Sequence, residues 1–501
     1  GSTTLPNTLV RRYSRVEFDD IGRFPVRTLQ PYFDPTVQPR LWTERVSSEV
    51  LARDRYGEVT QARDANGLLS YAARDGLGRE YWTSTNAGSS TLKTLLWCTG
   101  RNNGQHEVSC PTGPFVFRTE VRQVAATGGA QVGPTQWSYH DVLGRVLMTV
   151  TEAFDGNGFN KDLSAVCVDH DQSGRQTRQT EPFFLTGASP PTFAGNVCVT
   201  AEPHPGSTTA YDVTGRVKRQ LDAVGAVSEL WHRAVNLTVN GLTVSVAELE
   251  KRAPCNQGTS GPQCTRIWKE RRDAAGKLIE SEDPSGTTVR YGYTAAGDVR
   301  TVSRREKSTS PIEVVTTTEF DVAGRKISQT DPDSGIWTWD YNAAGEVIRQ
   351  VDGAGRVVDT ERDALGRIWR RSTEAAVPPS DALLKDGFEG STVLLRQMNQ
   401  ELVDRFEYDT AVNGLGQLHW SQREEPGLAN HQVTLSYDPL GRVVQRVTQI
   451  EGRNYTESFS FDSVGRPLKQ LMAYQEPLAS GSQLFSEGSE TAYSLRGFAV
   501  R

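Results

Sequence analysis

Asp331 and Asp333, two residues apart in the stretch DPDSG, are the nearest this 501-residue sequence comes to a general acid–base pair. Neighbouring carboxylates can share a proton or chelate a cation. Asp and Pro ahead of Ser and Gly are also turn chemistry, and a distorted turn accounts for both carboxylates. Asp155-Gly156-Asn157-Gly158 followed by Asp162 spaces oxygen ligands as a calcium loop does, but lacks the sixth-position Gly and twelfth-position Glu that complete one. His140 and His170 each stand immediately before an Asp, where other stretches carry Tyr or Phe, so packing is their expected role rather than general-base or metal chemistry. The motifs G-x-S-x-G, G-x-x-x-x-G-K-[ST], H-E-x-x-H and G-x-G-x-x-G do not occur. No catalytic residue, cofactor or metal site is expected, and the chain reads as a non-enzyme.

The carboxylates follow a different pattern. Asp-x-x-Gly begins at Asp19, Asp54, Asp64, Asp75, Asp141, Asp155, Asp171, Asp212, Asp222, Asp273, Asp283, Asp321, Asp352, Asp363, Asp438 and Asp462, sixteen copies in all, ten of them continuing with Arg. With 46 Gly in the chain, chance would supply about three. The Gly partners include Gly22, Gly78, Gly144, Gly174, Gly215, Gly324, Gly355, Gly366, Gly441 and Gly465. Asp suits the first corner of a type I turn because its carboxylate accepts a backbone N–H two residues on, and Gly at the fourth tolerates the positive φ of a hairpin with a G1 bulge. Each copy is therefore a hairpin tip. Thr294–Gly297 and Asn342–Gly345 are degenerate copies, and Tyr408-Asp409 leads into a turn two residues too wide.

About six residues separate many of the turns, enough for one strand. Ile336–Tyr341 shows the period of two, with Trp337, Trp339 and Tyr341 on one face and Thr338 and Asp340 on the other. If Asp is the last paired residue, Arg sits opposite it, and the next pairs outward are Phe18 with Phe24, His140 with Val146, Tyr211 with Val217, Tyr437 with Val443 and Phe320 with Lys326. The expected fold is all-β, a long antiparallel ribbon of hairpins.

The runs YDVTGRV at 211, YDPLGRVV at 437 and FDSVGRPL at 461 resemble the YD repeat of the Rhs and Tc-toxin families and of the teneurins. The resemblance implies that the ribbon spirals into a hollow shell or part of one. For a bacterial member it also implies that the shell sequesters a C-terminal toxic polypeptide until delivery. Partners would then be the chain's own toxin cargo or a partner shell component, together with delivery machinery. The autoprotease segment that ends such shells is not matched here. The other reading is an extracellular adhesion or carbohydrate-binding module, with Trp337, Trp339 and Tyr341 stacking on cell-surface glycan.

Composition supports a thin array. Hydrophobic content is 36% and mean hydropathy −0.51, low for one solid core. A net charge of −6 argues against nucleic acid as a partner. No apolar stretch is long enough for a membrane span, and no signal peptide is legible. Gly1-Ser2 reads as a cloning remnant ahead of an excerpted chain. Six Cys fall in local pairs, Cys98 with Cys110, Cys167 with Cys198 and Cys255 with Cys264, inside loops rich in Gly, Pro, Asn and Ser. Three disulfides and a secreted or extracellular protein are the expectation. Residues 1–501 read as one continuous array, with insertions at about 96–135, 176–210, 231–270 and 372–402 and a non-repeat end at 471–501.

Overall fold

The computed structural model describes residues 13–34, 41–125, 129–153, 163–185, 198, 204–239, 241–254, 265–306, 313–374, 401–425, 430–478, 481–494 and 498–499. They form 35 β-strands and, among the described residues, no helix. Among the described strands pairing is mostly antiparallel between neighbours in sequence; Phe183–Leu185 instead returns to Leu163–His170, Gln176–Thr180 pairs Gly206–Tyr211, and the short strand Glu107–Val108 lies parallel to Ser90–Cys98. The expected Asp155 turn, Cys255 and Cys264, and most of the insertion at 372–402 lie outside the described residues.

The hairpin tips form as their chemistry dictates. Every described fourth-position Gly of the repeats has φ between 68° and 100°. At most of these tips the Asp N–H meets the carbonyl four residues on, as in Asp75 N to Arg79 O at 2.9 Å and Asp321 N to Arg325 O at 2.9 Å. A bulge then falls just before the aromatic position and sets the pairs His140 with Val146, Tyr211 with Val217, Phe320 with Lys326 and Tyr437 with Val443. Phe18 departs from expectation: it faces Pro25, not Phe24, because Asp19 N bonds Phe24 O and widens that turn by one residue. The turn after Tyr408 is wider than its sequence indicated. Asp409 N reaches Gln417 O, so Gly416, with φ 87°, fills the glycine position and not Gly414.

Contacts divide the chain into two compact units. One unit comprises residues 1–94, 120–135 and 355–501; the other comprises 95–119 and 136–354. In the first, early turns lie against late ones. The Asn66 amide accepts the Leu415 N–H at 2.8 Å and donates to the Leu415 carbonyl at 3.2 Å, across 349 residues of sequence. Gly88 is buried within reach of Leu440 and the Ser463 carbonyl. Ala364, at a tip of this unit, is 3% exposed.

In the second unit the apolar core is local. Trp137, Val150 and Ala165 line up across three strands, as do Tyr139, Met148 and Cys167, and all six are buried. The insertions supply the covering layer: Phe115 packs on Tyr139 with ring centroids 5.4 Å apart, and Leu163 faces Leu185. Two disulfides, Cys98–Cys110 and Cys167–Cys198, tie this layer to the cluster.

The stretch at 231–270 contributes the longest hairpin of the unit, Val227–Val239 against Leu242–Pro254, so the ladder runs on through it. There the register stacks opposite charges in one row. Arg233 faces Glu248, Glu248 faces Arg271, Arg271 faces Glu280, and Glu280 faces Arg290. Glu248 lies 3.0 Å from Arg233 and 2.8 Å from Arg271. Glu280 contacts Arg271 and lies 2.6 Å from Arg290. Glu280 is 2% exposed. Charges so buried tolerate the loss of a partner poorly, so Glu280→Ala, which leaves Arg271 and Arg290 short of one, is expected to cost about 3 kcal/mol in urea unfolding. An exposed pair would cost less than about 1 kcal/mol.

Candidate functional site

The repeat's own side chains converge at the turns. In the second unit, the Asp171 Oδ1 accepts the N–H groups of Ser173 and Arg175, both at 2.9 Å, and its Oδ2 accepts the Arg175 Nε–H at 2.7 Å. The same clamp closes at Asp75, Asp141, Asp212, Asp321, Asp363, Asp438 and Asp462, with Nε to Oδ2 distances of 2.6–2.8 Å. At Asp352 the carboxylate accepts the Ala354 N–H at 2.9 Å. A side chain at Gly353 would start 1.9 Å from the Ser334 carbonyl, so only glycine lets those two turns meet.

The guanidinium so fixed does not stop at its own turn. Arg175 lies 4.6 Å from the ring centre of Tyr211 and Arg325 lies 5.0 Å from that of Tyr341. The phenols return the contact, Tyr211 donating to the Gln176 carbonyl at 2.8 Å and Tyr341 to the Lys326 carbonyl at 2.6 Å. Arg325 Nη1 also donates to the Asn342 carbonyl at 3.2 Å. Lys277 and Tyr293 repeat the arrangement, and so do Arg442 and Phe461 without a hydroxyl. The clamp of one turn is thus the seat for the aromatic of the next, a link that the cross-strand pairs within one hairpin did not reveal.

Two variations occur in the first unit. Asp409 has φ 70°, and its carboxylate turns inward to take both Arg367 Nη groups at 2.8 and 2.7 Å, while Arg367 Nε holds Asp363 and the guanidinium covers Tyr408 at 4.4 Å. Near the other end, Arg466 covers Tyr493 at 4.5 Å and Tyr493 donates to the Pro467 carbonyl at 2.9 Å. Ser494 N bonds Phe498 O as an Asp would. The sequence Ser494-Leu495-Arg496-Gly497 keeps the motif's fourth-position Gly and puts Ser in place of Asp, so this is one more, degenerate copy of the repeat turn.

The expected chemical groups take structural places. Asp331 accepts the Thr316 hydroxyl at 2.7 Å and the N–H groups of Asp333 and Ser334, the capping role of a turn. His140 stacks on Phe117 and bonds Thr119. Among the described residues no cluster of His, Cys, Asp and Glu could hold a metal. The aromatic row is engaged. Trp337 and Trp339 stack 6.2 Å apart, Lys326 covers Trp339 at 4.1 Å, Trp337 Nε1 donates to the Ser334 carbonyl, and Tyr341 sits in its clamp.

The clamps make stability pH-dependent. Backbone N–H donation from Arg175 and Arg325 holds the Asp171 and Asp321 carboxyls below their usual range, ahead of the guanidinium contribution and against desolvation. At Asp438 burial alone would raise the pKa, and the Arg442 N–H and guanidinium outweigh it. A pKa lower in the folded than in the unfolded chain stabilises fully above the unfolded value, about 3.9, and is lost as pH falls below it. Thermal unfolding is therefore expected to be level from pH 7 to 5 and to drop steeply below about pH 4. A midpoint unchanged at pH 3 would contradict this.

No curated protein matches the chain. Among solved structures, TcdB2-TccC3 is similar at 11% identity and a TM-score of 0.32, covering 97% of this chain and 33% of that one. The Photorhabdus luminescens Tc holotoxin pore is similar at 10% identity and a TM-score of 0.30, covering 95% and 34%. A porin-like protein from Bacteroides uniformis is similar at 12% identity and a TM-score of 0.20, covering 48% and 94%. The chain spans about a third of the length of the two Tc chains. The RHS Repeat family model matches residues 272–309, which hold the turns at Asp273, Asp283 and Thr294 and so carry an RHS repeat, and the same turn chemistry recurs on both sides of that stretch.

Proposed function

We propose that this chain is a wall segment of an encapsulating shell in a secreted bacterial toxin of the Rhs and Tc kind, sequestering a toxic polypeptide and performing no catalysis itself. The observation that carries the reading is how little of the sheet is backed by a second layer. The main cluster of buried apolar side chains gathers around two disulfides, while most remaining strands are half-buried along their length. A ladder whose adhesion runs from turn to turn needs no central core, so it can bound a space instead of filling one. The two disulfides support an oxidising, extracellular setting, and no described helix is long and apolar enough to cross a membrane. Proposed partners are the toxic polypeptide, another shell component and the machinery that delivers them. The adhesion reading at Trp337 and Trp339 is weaker, because the two rings stack on each other, Lys326 covers Trp339 and the Trp337 N–H is given to the Ser334 carbonyl.

The test is a passenger fused after Arg501 and treated with protease. A wall segment assembled with its shell partners should leave the passenger intact while a free passenger is digested. Digestion of both at equal rates would reject encapsulation, and processing of the fusion by the purified chain would reject the non-catalytic reading.

A further inference from the structure

We propose that the first unit carries a binding site for a neutral saccharide on the sheet formed by Val59–Asp64, Leu69–Arg74, Glu80–Thr85 and Ser90–Cys98. A cavity of about 330 Å³ opens on that sheet, within the size range of small-molecule sites. Its walls are hydroxyls. Ala72 faces Thr83 and Thr83 faces Thr91, while Ser70 faces Thr85 on the same side of the sheet. Thr60 precedes Gln61, the partner of Tyr71, and so shares that side.

Among the described residues, the side chains of Thr60, Thr83, Thr85, Ser89 and Thr91 have no protein hydrogen-bond partner, although all line this cavity and are half-buried. That sets them apart from Ser84 and Ser90, which bond each other at 2.9 Å. A hydroxyl offers one donor and two acceptor positions, so the five can serve a ligand that presents both in alternation. None of the residues lining the cavity carries a charge, which disfavours phosphates, nucleotides and acidic peptides. Ala72 and Val59 give the small apolar floor on which a pyranose could lie. A saccharide, with hydroxyls on an apolar ring, fits that inventory. The site is separate from the Trp337 row and does not depend on encapsulation.

Saturation-transfer NMR of the full chain with maltose, cellobiose and N,N′-diacetylchitobiose, with sialyllactose as the charged comparison, tests the site. At least one neutral disaccharide should bind with millimolar affinity, and the double variant Thr83→Val/Thr91→Val should weaken it about tenfold through the lost hydrogen bonds. Valine keeps the shape and β-branching of threonine, so the strands should persist. If that variant misfolds by circular dichroism, Thr60→Val/Thr85→Val replaces it with the same expected loss. No transfer to any neutral disaccharide, equal binding by a folded variant, or preference for sialyllactose would overturn the proposal.

Discussion

A carboxylate that satisfies backbone N–H groups within its own turn and still holds a guanidinium is the interaction on which the rest of this structure depends. At Asp321 one oxygen closes the loop through Ala323 and Arg325, and the other points Arg325 outward along the edge of the sheet. A free arginine would lose rotamer entropy on meeting a ring; here the turn has already spent it. Local turn chemistry is thereby converted into contact between hairpins. The unit reaches only its neighbour, so the array can lengthen by repetition, and its stability is a sum of nearest-neighbour terms.

Where the clamp alone would be insufficient, other forces take over. Around Trp137, Tyr139 and Met148, insertions stapled by Cys98–Cys110 and Cys167–Cys198 lay a second layer over the sheet. Around Glu248 and Glu280, alternating charges in one cross-strand row satisfy each other and make a polar face compact. At Asp409 the clamp is rebuilt with two carboxylates on one arginine. The same unit then pins an early turn to a late one through the amide of Asn66.

Turns were legible in the sequence because their causes are local: Asp and Gly act within five residues, and the bulge they impose sets pairs such as Tyr437 with Val443. What lay beyond reach was non-local. That Arg175 seats Tyr211 depends on which hairpin follows in space, across an excursion of more than thirty residues. The charge row needs the register of five strands at once. Tyr493 escaped notice because its turn, Ser494-Leu495-Arg496-Gly497, kept the Gly and the backbone bond from Ser494 to Phe498 but carries Ser where the motif has Asp. Phe18 shows the reverse limit: the motif was intact, yet Asp19 bonded one residue further on and shifted the pair. The hydroxyls at Thr83, Thr85, Ser89 and Thr91 carry no motif, and only the folded sheet shows that they share a cavity and lack partners.

The most direct measurement is a double-mutant cycle on Arg325 and Tyr341, using Arg325→Ala, Tyr341→Ala and the pair, followed by urea unfolding. If the clamp of one turn is the seat of the next, the two substitutions couple by about 1 kcal/mol. A coupling within about 0.3 kcal/mol of zero would mean that the hairpins adhere through strand pairing alone, and that the clamp of one turn does nothing to hold the next.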